Sequence, residues 1–226
     1  MMPRIPLRSC AAWLLPLVAV LLLTGCQSAY YGALEKVGIH KRELMVDRVE
    51  EGRDAQVEAE QQFASALEQF RAVVRVPDSE LSETYERLET SHERSEAAAE
   101  RVQSRIDDIE SVAEALFAEW EDELDLYQSA EYRRLSEQRL RQTRQRYAQM
   151  RDAMQEAADS MQPVLLVMRD NVLLLKHNLN ARAIGALRGE VDGLEREVAA
   201  LRERMQAAIS RSNAFIDTLH DIDDGR

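Results

Sequence analysis

The 226-residue chain holds four histidines, His40, His92, His177 and His220, and two cysteines, Cys10 and Cys26. Two of the histidines follow a carboxylate at i,i+3, in Glu89-x-x-His92 and Asp217-x-x-His220. Helical di-iron carboxylate sites use that spacing, but they need two such pairs at one height and two further glutamates. In the antiparallel arrangement argued below, His92 and His220 fall several turns apart. A seam histidine satisfied by hydrogen bonds is the simpler reading. There is no phosphate-cradling glycine loop, no H-E-x-x-H and no thiol pair. No histidine stands in a defined base–nucleophile pattern with a serine or an aspartate. Neither a catalytic residue nor a metal or cofactor is expected. A metal-dependent bundle enzyme is the weakest of the functional readings.

The chemistry that does stand out is at Cys26. Met1 to Ser9 carries Arg4 and Arg8 and no acid, Cys10 to Leu23 is apolar, and Leu23-Thr24-Gly25-Cys26 closes the run. A basic start, a short apolar core and small residues before a cleavage point read as a secretory signal. The run is shorter than the roughly 20 residues that span a bilayer. Its end resembles the lipobox of bacterial lipoproteins, with Cys26 as the lipidated residue. That resemblance implies cleavage after residue 25, and Gln27, in place of an aspartate, implies transfer to the outer membrane facing the periplasm. Loss of the signal takes Cys10 with it, leaving a single thiol and no disulfide framework. Acyl chains would explain that thiol, each buried CH₂ contributing about 0.8 kcal/mol to anchoring.

Charge narrows the partners. The chain has 29 Lys and Arg against 41 Asp and Glu, net −12, and loss of Arg4 and Arg8 takes this to −14. Nucleic acid is not an expected partner of so acidic a body.

The elements that must position any site are helices. Glycine is absent from Arg53 to Ile184, and Pro77 and Pro163 are the only prolines after Pro16. Sandwiches, barrels and α/β folds need far more turn residues than this. Four stretches of similar length follow: Tyr31–Val76, Ser79–Tyr127, Glu131–Asn178 and Ala181–Asp221. Pro77 ends the first. Ser129 is the expected cap of the third. Heptad seams run through Met45, Val49, Gly52, Gln56, Ala59, Phe63, Ala66, Phe70 and Val73 in the first, and Leu81, Tyr85, Leu88, His92, Ser95, Ala99, Val102, Ile106, Ile109, Ala113, Leu116 and Trp120 in the second. The fourth runs from Ile184 through Leu187, Leu194, Leu201 and Met205 to Leu219. Matching lengths joined by short corners predict an all-α, elongated antiparallel up-down-up-down four-helix bundle, coiled-coil-like. A long helical hairpin that dimerises is the alternative, so a homo-oligomer stays open. The expected organisation is a cleaved signal peptide at 1–25, a lipidated anchor and linker at 26–32, the bundle at 33–222 and a tail at 223–226.

The third stretch is the odd one. Pro163 predicts a kink, and Met150, Met154 and Ala158, four apart twice running, suggest that the seam loses register there. From Val164 to Leu179, ten of sixteen residues are large aliphatics. Either this is the most buried segment of the bundle, or it docks a partner. A carrier of lipid or another apolar ligand would place its cavity here, lined by Met161, Leu165, Met168 and Val172.

Two polar clusters complete the picture. Glu119, Glu121, Asp122, Glu123 and Asp125 face Arg133, Arg134, Arg139, Arg141, Arg144, Arg146 and Arg151 across the Ser129 corner. They either neutralise one another or meet lipid phosphates, which suit arginine forks. At the opposite tip, Lys176, His177, Asn178, Asn180 and Arg182 either cap the helices or form a docking tip for a periplasmic partner or an anionic ligand.

The run from Asp170 to Ile184, DNVLLLKHNLNARAI, together with Ala115–Trp120, Tyr30-Tyr31 and Lys41-Arg42-Glu43-Leu44, resembles a bacterial lipoprotein family known as domain of unknown function 2959. The resemblance implies an all-helical envelope protein and brings no activity, cofactor or catalytic residue. The expectation is therefore a lipid-anchored envelope protein with a non-catalytic scaffolding or partner-binding role. Its partners would be the membrane, through its N-terminal lipid, and an envelope or periplasmic protein.

Overall fold

The computed structural model describes residues 41–73, 81–177 and 181–223, leaving aside the side chains of 81, 181–184, 188 and 223. Five helices account for them: α1 Lys41–Val73, α2 Leu81–Leu124, α3 Ala130–Asp159, α4 Met161–His177 and α5 Ala181–Asp223. No strand occurs among the described residues, and the fold is all-α and bundle-like, as the glycine and proline distribution requires. Packing divides the chain between Leu44 and Met45, and the bundle is the unit from Met45 onward. The expected signal peptide, Cys26, the expected 26–32 linker and the expected tail beyond residue 223 lie outside the described residues.

Side-chain pairs fix how the helices lie against one another. Gln62 meets Ser95, and Glu51 meets Arg105, between α1 and α2. Glu121 pairs with Arg144, and Gln103 with Gln155, between α2 and α3. Arg146 reaches Thr218, and Arg204 reaches Glu156, between α3 and α5. Arg53, Glu60 and Arg71 meet Asn213, Arg202 and Glu195 between α1 and α5. In every set the numbers rise along one helix as they fall along the other, the order that antiparallel neighbours give.

The seams supply the core. All nine seam positions of α1 are buried, including Phe63, Phe70 and Gln56. From Leu187 to Leu219 the α5 seam is buried at every position except the half-buried Val191. In the first half of α2 the buried stripe passes through Thr84, Ser91 and Ala98, one residue earlier than the heptad reading in part. A 3.6-residue turn drifts about 20° per heptad against a strict seven-residue repeat, so a long helix must shift phase somewhere. Each large side chain so buried contributes about 1.5–3 kcal/mol, against about 0–1 kcal/mol for a surface ion pair. The core therefore decides the fold. Gly52 allows the closest approach, since a Cβ there would meet Ile109 Cδ1 at 2.7 Å and Met154 Cε at 2.9 Å.

The break in the third stretch falls at Ser160, between α3 and α4. Proline has no N–H, so Pro163 cannot bond the carbonyl of Asp159, four residues back, and its ring crowds that carbonyl. Ser160 keeps a near-helical backbone at φ −72°, ψ −9°, and its hydroxyl donates to the Ala157 carbonyl at 2.7 Å. The helical phase therefore survives the break. The expected loss of register does not occur. Met150, Met154, Met161, Val164, Met168, Asn171 and Val172 are all buried, and Ala157 and Ala158 are buried together between them.

Candidate functional site

The α2–α3 corner is built first by capping. Ser129 Oγ accepts the Tyr132 N–H at 3.4 Å and starts α3, as expected from the sequence. Trp120, in the last turns of α2, donates its indole N–H to Ser136 Oγ at 2.9 Å, with both residues buried. The acidic and basic clusters meet in part. Asp125 pairs with Arg133 at 3.0 Å and Glu121 with Arg144 at 2.5 Å, whereas Arg151 reaches Glu110, outside the acidic cluster, at 3.8 Å. The Arg144 hydrogen bond holds the Glu121 carboxyl below its ordinary range, and its guanidinium also lies 5.1 Å over the Phe117 ring. Arg146 turns instead to the Thr218 hydroxyl on α5. Arg134 and Arg139 are exposed, and neither makes an ion pair among the described residues.

The same corner carries something the seam analysis missed. Leu126 is 74% exposed, Tyr132 63%, and Leu135 and Tyr127 nearly half. They are four of the six large hydrophobic side chains exposed among the described residues. Leu126 and Tyr127 stand in the turn before α3, and Tyr132 and Leu135 in its first two turns, where heptad spacing does not report their exposure.

At the Pro163 level, Met161, Leu165, Met168 and Val172 lie together along one face of α4, and all are buried in the core. Beside them is an open cleft of ≈ 330 Å³ between α2 and the α3–α4 break. Leu165, Leu166, His92, Glu96, Asp159 and Arg169 are among its lining residues; Met161, Met168 and Val172 are not. The aliphatic segment is amphipathic, with Leu166 and Leu173 facing outward, so part of it is not buried.

His92 is buried, with Nδ1 3.5 Å from Glu96 Oε2. Its neighbour at i−3, Glu89, accepts a short hydrogen bond from the Tyr85 hydroxyl, which pushes that phenol up to about 12. His220 is exposed on α5. Among the described residues no group of three or more His, Cys, Asp or Glu is placed to hold a metal ion, and no helix is long and apolar enough to cross a membrane.

Of the tip residues, Lys176 and His177 are exposed in the last turn of α4, where cations complement the helix dipole. Asn178 and Asn180 lie outside the described residues, and Arg182 falls in the first turn of α5.

An all-α helical bundle with a largely apolar core is the class that this fold defines. The chain belongs to the family described as Protein of unknown function (DUF2959), whose model matches residues 30–219. No curated protein and no solved structure is significantly similar to it.

Proposed function

We propose that this protein is a lipid-anchored component of the bacterial envelope, tethered through Cys26 and acting in the periplasm as a non-catalytic scaffold or partner-binding protein. The observation that carries this reading is Leu23-Thr24-Gly25-Cys26, which closes a short apolar run four residues before the family segment begins. A thiol at that place is what lipid transfer needs, and the family segment would then follow its anchor directly. The bundle supports the binding half of the reading. Most of its large apolar residues hold the helices together, and most of its charged residues are displayed on outer faces where a partner could meet them.

Metabolic labelling with radioactive palmitate tests the anchor. The wild-type chain takes up label and Cys26→Ala does not; an unlabelled wild-type chain overturns it. In-cell cross-linking followed by affinity capture tests the binding role. Lys176→Ala with Arg182→Ala should abolish capture of the cross-linked partner and leave the thermal melt nearly unchanged. A collapsed melt with unchanged capture per folded molecule would mean that these residues only cap helices.

A further inference from the structure

We infer that the α2–α3 corner is a second membrane contact, in which Leu126, Tyr127, Tyr132 and Leu135 enter the interfacial layer of a bilayer rich in zwitterionic phospholipid. The inference rests on the reading that Cys26 anchors the chain. Three observations carry it. Exposed large apolar side chains are concentrated here, with Leu126 at 74% and Tyr132 at 63% exposure, and contacts of this size in water call for an occupant. Their chemistry suits a bilayer surface, because tyrosine presents an apolar ring and a polar hydroxyl and gathers at headgroup level. Leucine adds the apolar area that such interfacial contacts bury.

The second observation is charge. Arg134 and Arg139 have no ion-pair partner among the described residues, and Asp122 and Glu123 are exposed beside the turn. Exposed guanidinium groups in the first turns of α3 and exposed carboxylates at the end of α2 match headgroups that carry both phosphate and ammonium. A strongly anionic surface would instead be repelled by the anchored chain, whose net charge without Arg4 and Arg8 is −14.

The third is where the chain enters. Glu51 pairs with Arg105, and Gly52 lies against Ile109, so Met45 begins the bundle at the end where α2 runs toward the corner. Cys26 is nineteen residues upstream of Met45. The chain that follows Cys26 therefore joins the bundle at this end and not at the end bearing Lys176 and His177.

With Cys10 removed and Cys26 acylated, Leu126→Cys is the only free thiol in the mature chain, and it accepts a nitroxide spin label. The full-length lipoprotein is reconstituted in vesicles of phosphatidylethanolamine with a minority of phosphatidylglycerol, and collision with oxygen and with a water-soluble nickel chelate is measured. The label at 126 should gain oxygen and lose nickel collisions severalfold on vesicles, while a label at Leu173→Cys stays water-like. Tyr132→Glu with Leu135→Glu should return the 126 label to water-like values, and raising the phosphatidylglycerol fraction should not deepen it. A water-like 126 label on protein that sediments with the vesicles overturns the inference and leaves the anchor standing. Mass spectrometry of Cys26 reports the anchor separately, since an unacylated Cys26 fails that reading. Concentration-dependent shielding of 126 without vesicles would assign the corner to a second copy of the chain and also overturn the inference.

Discussion

The indole N–H of Trp120 donates to Ser136 Oγ at 2.9 Å, tying the last turns of α2 to the second turn of α3 beneath the exposed Leu126–Leu135 corner. Both groups are buried, so the bond fixes the angle at which α3 leaves the corner. Ser136→Ala removes the acceptor while keeping the helix propensity. The expected cost is about 1 kcal/mol, a fall of about 2–4 °C in melting temperature for a domain of this size. An unchanged melt would show that another group holds the indole equally well.

Gln56 presents the opposite case. It sits on the α1 seam with no exposed surface, and neither Nε2 nor Oε1 has a hydrogen-bond partner among the described residues. A desolvated carboxamide without partners costs about 1–3 kcal/mol. Gln56→Met keeps the length and removes the polar atoms, so the urea midpoint should rise with the slope unchanged. A lower midpoint would mean that a bound water or another group serves the carboxamide in solution.

Much of this architecture was legible because a heptad is local information. Phe63, Leu88, Ile106, Leu194 and Met205 could be assigned to the core from spacing alone, and they are buried. Ser129 could be named as a cap because a short hydroxyl before an α-helix has one common use. The break was legible less well. Pro163 located it, but whether the phase survives depends on the backbone of Ser160, which no spacing rule reports. The corner illustrates a different limit. Heptad spacing reports which residues go inward, and the exposure of Leu126, Tyr127, Tyr132 and Leu135 depends on how the turn leaves them, which spacing does not encode. Charge pairing showed the same limit: Arg144 found Glu121, whereas Arg146 crossed to Thr218, a choice made by the packing of a third helix.

Glycines give a paired prediction. Gly189 and Gly193 lie within α5, and a Cβ at either would have nothing within 4 Å. Alanine is about 1 kcal/mol better than glycine inside a helix, so Gly189→Ala and Gly193→Ala should each raise the melting temperature by a few degrees. Gly52→Ala gains the same propensity but drives its Cβ toward Ile109 Cδ1 and Met154 Cε. Overpacking of that kind costs about 1–3 kcal/mol, which cancels the gain or exceeds it. Calorimetry of the three variants should separate them; stabilisation by Gly52→Ala would mean that the two terminal methyl groups move aside freely.

Tyr147 makes stability depend on alkaline pH. Its ring sits between Phe117 at 5.5 Å and Phe215 at 6.1 Å, joining α2, α3 and α5. Burial, reinforced by Glu110, raises its phenol from 10.0 to about 12. A group whose pKa is raised on folding stabilises the fold fully below its unfolded value and loses that contribution as pH climbs to the folded one. Here the window runs from 10.0 to about 12. The folded chain holds the proton while the unfolded chain releases it, so unfolding gains ground through that interval. Tyr147→Phe keeps both ring contacts and removes the ionisation. Denaturant midpoints measured across the window should therefore fall less steeply for the variant than for the wild type. Parallel curves would place the Tyr147 hydroxyl in contact with water and its pKa near that of a free phenol.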